Sequence, residues 1–201
     1  MKVLNIGSCN IDYVYQVDHF VQPGETMDCL SMQAGCGGKG LNQSIAIAQA
    51  GAEVFHAGSI GPEGEFLRKK LEDKGVDTSL LRTCKGANGH AIIQVDRQGM
   101  NCILLYGGSN QQLTEEYVDS VLAQFSPGDI LVLQNEINLI PYIMERAHAA
   151  GLRIAFNAAP YQETVRNYPL DKVTWLIVNE VEGGGLSGRS EPDDIARELR
   201  R

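Results

Sequence analysis

Gly35-Cys36-Gly37-Gly38-Lys39-Gly40-Leu41-Asn42-Gln43 is the stretch on which the fold turns. Glycine tolerates positive φ and lets another backbone or a ligand approach closely. Leu41, Ile45, Ala48 and Gln49 follow at near-helical spacing, and Gly51 is placed to end the helix. The run therefore delivers a glycine-rich approach into a helix over 40–50. Its first N–H groups are unpaired and favour anions or hydroxyl oxygens. A Walker A loop is excluded, because Gln33 and Gly40 stand where that motif needs Gly and Ser or Thr. A plain turn before a helix fits the same residues.

Upstream, Val3 to Gly7 is a short apolar run typical of a buried strand, and Gly7-Ser8-Cys9-Asn10-Ile11-Asp12 follows it. Asn10 and Asp12 then lie at a strand's carboxyl end, where α/β sheets bind ligands. Both can hydrogen-bond hydroxyls, and an Asx-turn is the plainer alternative. Downstream, strands are expected at 54–60, 130–133, 153–156 and 175–178, and helices at 64–75, from Thr114, at 141–150 and at 192–200. Phe66, Leu67 and Leu71 are expected on one buried helix face. Gln134-Asn135-Glu136, Asn157-Ala158-Ala159-Pro160 and Asn179-Glu180-Val181-Glu182 each follow a strand, so five polar segments share one rim. For Glu136, first-turn charge on a helix is the competing reading. The strand–helix–strand rhythm predicts a mostly parallel α/β sheet with right-handed crossovers. Strands expected at 13–17, 27–32, 91–95 and 102–106 break that rhythm and suggest a small β appendage, with a hairpin turn at Asp96-Arg97-Gln98-Gly99.

The 201 residues suit one domain, 1–201, with 43% hydrophobic and 21% charged residues as in globular proteins. A net charge of −8 with scattered basic residues argues against a nucleic-acid partner. No apolar run is long enough to span a bilayer, and the first strand begins at once with no signal-peptide core. The five cysteines are odd in number and lack metal-site spacing. Free thiols and a cytoplasmic location are the expectation.

Gly37-Gly38-Lys39-Gly40-x-Asn42-Gln43 resembles the G-G-K-G-x-N-Q signature of the ribokinase-like (PfkB) carbohydrate kinases. Gly7-Ser8-x-Asn10-x-Asp12, Pro23-Gly24-Glu25-Thr26 and Asn179-x-x-Glu182 resemble that family's other motifs, in the same order. The resemblance implies a three-layer α/β sandwich with a small β-sheet lid over a sugar. It implies that Asn10, Asp12, Gly38, Lys39, Asn42 and Glu136 hold sugar hydroxyls, and that Ala91, Ile93 and Ile103 line the lid side. Asn179 would lie near nucleotide phosphates, and Glu182 would act through water on the magnesium environment. The implied reaction is ATP-dependent phosphorylation of a sugar hydroxymethyl group, with Mg2+ and K+ as further cofactors. A homodimer through the lid is also implied.

The family's catalytic Asp lies in a G-A-G-D segment, which does not occur among these residues. Gly128-Asp129 reads as a turn before a strand. Part of the fold is thus expected to be missing at the C-terminus, with no catalytic base in this chain. Gly183-Gly184-Gly185 is expected to weaken the helix it opens, by about 1 kcal/mol per Gly relative to Ala. Three readings follow: a truncated sugar kinase, a noncatalytic sugar-binding fragment or pseudokinase, and a chain that folds only with a partner.

Overall fold

Short, near-continuous apolar runs build the central sheet, which is packed on both faces. The computed structural model of the protein describes residues 1–200. Strand β1 (Val3–Ile6) is buried along its whole length. It lies between β4 (Val54–Ile60) and β8 (Ile130–Gln134), parallel to both. With β5 (Leu81–Thr83), β9 (Arg153–Asn157) and β10 (Trp175–Ile177) the order is β10-β9-β8-β1-β4-β5, and every pairing is parallel. Leu4 and Ile6 point to one face, where α3 (Glu115–Leu122) and α4 (Ile140–Ala149) pack Val118, Val121, Ile143 and Met144 against them. Val3 and Val54 point to the other, under Leu41 of α1 (Lys39–Gln49) and Leu67 and Leu71 of α2 (Glu65–Glu72). These are the three layers expected of a sheet that buries both sides. Phe66 departs from expectation and is exposed.

A second sheet, β3-β2-β6-β7, is formed by β2 (Asn10–Gln16), β3 (Ser31–Gly37), β6 (Gly89–Val95) and β7 (Asn101–Tyr106). Its two antiparallel pairs flank a parallel β2–β6 pair. The strand expected at 27–32 is displaced: residues 27–30 are irregular and the strand runs from Ser31 to Gly37. Gly35-Cys36-Gly37, read as loop, pairs with Asp12, Ile11 and Asn10. The strand expected at 13–17 begins earlier, at Asn10, so Asn10 and Asp12 are strand residues and not an Asx-turn.

Helix α5 (Glu180–Ser187) forms despite its three glycines. A reciprocal cap holds its start: Asn179 Oδ1 accepts from Glu182 N at 2.9 Å and Glu182 Oε2 accepts from Asn179 N at 3.0 Å. The glycines are needed for packing. A Cβ on Gly183 would lie 2.7 Å from Ile195 of α6 (Pro192–Leu199), and one on Gly185 would lie 2.5 Å from the Tyr161 ring. Close approach offsets the propensity cost.

Between β1, β4 and α1 runs a buried polar chain. His56 Nδ1 meets Ser44 Oγ at 2.8 Å, its Nε2 meets Cys9 Sγ at 3.2 Å, and Asn5 Nδ2 donates to Ser44 Oγ at 2.9 Å and to the Gly40 carbonyl at 2.9 Å. Burial pushes the His56 pKa down to about 4. The unfolded chain then takes up a proton first as pH falls. Stability is held above the ordinary imidazole range and lost between about pH 6.5 and 4, by on the order of 3 kcal/mol. Urea unfolding at pH 7.5 and at pH 4.5 should show this loss, and His56→Gln should shrink the difference between the two. An unchanged pH dependence in the variant would contradict the assignment.

Candidate substrate cleft

The N-terminus of α1 is pressed onto the corner between β1 and β2. Leu41 N donates to the Ser8 carbonyl at 2.9 Å and Gly40 N to Ser8 Oγ at 3.2 Å. A Cβ on Gly40 would fall 2.4 Å from Ser8 N, against backbone that has no freedom to yield. Gly38 has φ 95°, a conformation that side-chain-bearing residues rarely adopt. A Cβ on Gly37 would overlap the Asp12 carboxylate at 2.1 Å. Gly37, Gly38 and Gly40 are thus demanded by close approach or by φ, and the plain-turn reading does not account for them.

Glu136, just beyond β8, fastens this corner from the other side. Its Oε2 accepts from Ser8 Oγ at 2.5 Å and from Lys39 N at 2.9 Å. Its Oε1 pairs with Lys39 Nζ at 2.8 Å. The Glu136 side chain is 8% exposed and that of Lys39 is 36% exposed, so the pair is fixed at one end and open at the other. Gln134 extends the same strand end inward, donating through Nε2 to Asn5 at 2.9 Å and to Gln43 at 2.7 Å.

The register of the small sheet decides what roofs the corner. Asp12 stands opposite Ala91, and Ala91 opposite Leu105; Val14 stands opposite Ile93, and Ile93 opposite Ile103. Directly opposed residues share a face, so Asp12, Ala91, Leu105, Ile93 and Ile103 look the same way. Together with Asn10, Gly38, Lys39, Asn42 and Glu136 they line one cleft of about 200 Å3. The structure therefore brings together every residue expected at the hydroxyl site. The side chains of Asp12 and Asn42 take no hydrogen-bond partner among the described residues. An adjoining cavity of about 280 Å3 shares Asn10, Leu105 and Glu136 and is walled by Asn110, Gln111, Asn135 and Gln162.

Sequence reading missed Ser8, Leu105 and Asn110. Leu105 was available from its alternation with Ile103, and Ser8 from its place in the Gly7-to-Asp12 motif. Asn110 lies in a 3-10 turn, Gly108–Gln111, with no periodicity to betray it. Asn179 and Glu182 lie outside the cleft and cap α5. Asn179 also borders a larger cavity of about 630 Å3, walled mainly by Leu176, Val178, Pro192, Ile195, Ala196 and Leu199. Size does not make that cavity the better candidate: orientation of a polar ligand needs converging donors and acceptors, and those lie in the smaller cleft.

Burial raises the Asp12 carboxyl above its ordinary range, the Glu136 charge adds to the rise, and Lys39 opposes it. The folded state then holds its proton to higher pH than the unfolded one. The contribution to stability is full below the unfolded pKa and is lost as pH rises through the folded value. Carboxyl carbon NMR should find Asp12 titrating above the ordinary aspartate range, with Glu136→Gln lowering the midpoint and Lys39→Met raising it. A midpoint indifferent to both variants would show that the three groups do not share a field.

The pfkB family carbohydrate kinase profile matches residues 1–200. A ribokinase of Staphylococcus aureus (strain COL) is 35% identical over 194 residues, covering 93% of this chain and 63% of its own length. The crystal structure of a ribokinase from Cryptococcus neoformans var. grubii serotype A in complex with ADP superposes with a TM-score of 0.81 at 33% identity, over 98% of this chain and 65% of that one. A ribokinase structure from Thermotoga maritima gives 0.84 at 29% identity, over 100% and 68%. The chain thus spans a little under two thirds of the length of the Staphylococcus aureus and Haemophilus influenzae ribokinases. Profile, relatives and fold converge on one conclusion: this chain belongs to the pfkB family of carbohydrate kinases.

Proposed function

We propose that the whole protein transfers a phosphoryl group from ATP to the hydroxymethyl group of a sugar such as ribose, and that these residues supply the sugar-binding half. The observation that carries the reading is the cleft itself. Asp12 offers acceptors, Asn42 an amide and Lys39 a cation, all without full use by the protein, beneath an apolar roof of Ala91, Ile93, Ile103 and Leu105. Hydroxyls satisfy the polar floor, and the carbon face of a sugar meets the roof.

The residues act here by holding and orienting. Glu136 keeps Lys39 and the first turn of α1 in place, so Gly38 and Asn42 meet the ligand in a fixed geometry; positioning of this kind supplies much of the rate in phosphoryl transfer. Asp12 accepts a hydroxyl proton as a hydrogen-bond acceptor, not as the catalytic base. That base belongs to a segment with no counterpart among these residues, and the chain alone should turn over weakly or not at all. The alternative reading is a noncatalytic sugar-binding fragment or pseudokinase, which sugar binding without turnover would favour.

ATP, Mg2+ and K+ are proposed cofactors of the whole protein. Both Glu182 oxygens are engaged by Asn179, whose Nδ2 donates to Glu182 Oε1 at 3.1 Å. With both oxygens so engaged, Glu182 does not fit direct metal ligation. Exposed Met32, Ile92, Leu104 and Tyr106 on the small sheet support a homodimer through the lid. No helix among the described residues is long and apolar enough to cross a membrane; a cytoplasmic setting is proposed from the five free cysteines.

Calorimetry with ribose, and coupled detection of ADP in the presence of ATP and Mg2+, test the reading. Ribose should bind with little or no turnover, and Glu136→Gln should weaken binding about tenfold or more, since hydrogen bonds to charged groups are each worth about 1.5–3 kcal/mol. Turnover comparable with a full-length relative would defeat the placement of the base elsewhere. No binding of ribose or any related sugar would defeat the sugar reading.

A further inference from the structure

Asn110 is 2% exposed and Asn10 is 5% exposed, and their hydrogen bonds can be satisfied in one sense only. The Cys9 backbone N–H is a donor and meets Asn110 Oδ1 at 3.1 Å. The other terminal atom of Asn110 is then its Nδ2, also a donor, and it meets Asn10 Oδ1 at 2.7 Å. Asn10 Nδ2 is left over, with no acceptor among the described residues, on a side chain that lines the cleft. Space for the pair depends on the strand opposite Asn10: a Cβ on Gly89 would lie 2.1 Å from Asn110 Nδ2 and 2.7 Å from Asn10 Oδ1.

We infer that Asn110 is a positioning residue for ligand selection, locking the Asn10 amide so that it presents a donor to the cleft beside the acceptor carboxylate of Asp12. Asn10 and Asp12 are two apart on β2 and share a face. The floor therefore reads donor then acceptor from a backbone amide outward, and the polarity originates at Cys9 N. A ligand hydroxyl bridging the two must accept from Asn10 and donate to Asp12. Neither an ether oxygen nor a missing hydroxyl does both, and a buried polar group left unpaired discriminates strongly. The choice of ligand rests on the sugar-kinase reading; the amide orientation does not.

Nitrogen-edited NMR on the ligand-free chain should show the Asn110 Nδ2 protons exchanging with water at least tenfold more slowly than those of Asn10. Asn110→Asp keeps the acceptor for Cys9 N and removes the donor. Asn10 should then turn its Nδ2 to the new carboxylate, the slow exchange should move to Asn10, and ribose affinity by calorimetry should fall at least tenfold. Asn10→Asp, which leaves Asn110 untouched and replaces the cleft-facing donor by an acceptor, should cause a like loss even where the buried substitution fails to fold. Equal exchange at the two native amides, or ribose binding within twofold of native in either variant, would overturn the inference. Native chain that shows the exchange pattern but binds no ribose would overturn the sugar reading and support the amide assignment.

Discussion

The carboxylate of Glu136 is the fastening on which the site depends. One oxygen gathers Ser8 and the first N–H of α1, and the other takes the Lys39 ammonium. Ser8 follows β1, Lys39 opens α1 and Glu136 follows β8, so a single side chain ties its own segment to two others that lie 128 and 97 residues away in sequence. A negative group at a helix N-terminus is favourable in its own right. Here it also leaves the end of that helix pointing at the cleft in one orientation. Removing a partner would leave the other charge half-desolvated, which is why this contact matters more than the exposed ion pairs Arg146–Asp119 or Arg97–Asp18.

The roof depends on register in the same way that the floor depends on that carboxylate. Strand side chains alternate, so a slip of one residue between β2 and β6 would turn Ala91 and Ile93 outward and put Ile92 over the cleft. Gly37 helps to hold the register, because the Asp12 carboxylate occupies the space any larger residue would need. The glycines at 37, 40 and 89 are thus fitted to particular partners: a carboxylate, a backbone corner and an amide pair.

Much of this was legible from residues alone, for a physical reason. The parallel core strands are short apolar runs ended by polar residues, and the helices carry ordinary start and stop signals, so Val54–Ile60 and the Thr114 cap were found where they lie. The convergence of Asn10, Asp12 and Glu136 could be read from their place beyond strand ends, whereas Asn42, on α1, came to the site through the family resemblance. What failed were segments whose conformation is set by contacts remote in sequence. Gly35 to Gly37 has no strand propensity of its own, and pairs because β2 offers a partner. Gly183 to Gly185 looks like a helix breaker until Ile195 and Tyr161 are seen against it. Asn110 carries its meaning wholly through Cys9 and Asn10.

The link between β1 and β2 is only Gly7-Ser8-Cys9, and each of its members is buried. The central sheet and the flap above the cleft are therefore one continuous ribbon with almost no slack. A flap that swung open to admit a molecule would tug on Ser8, and Ser8 is the residue gripped by Glu136. The small sheet and the Glu136 anchor are mechanically joined at that point, so a shift of one is felt by the other.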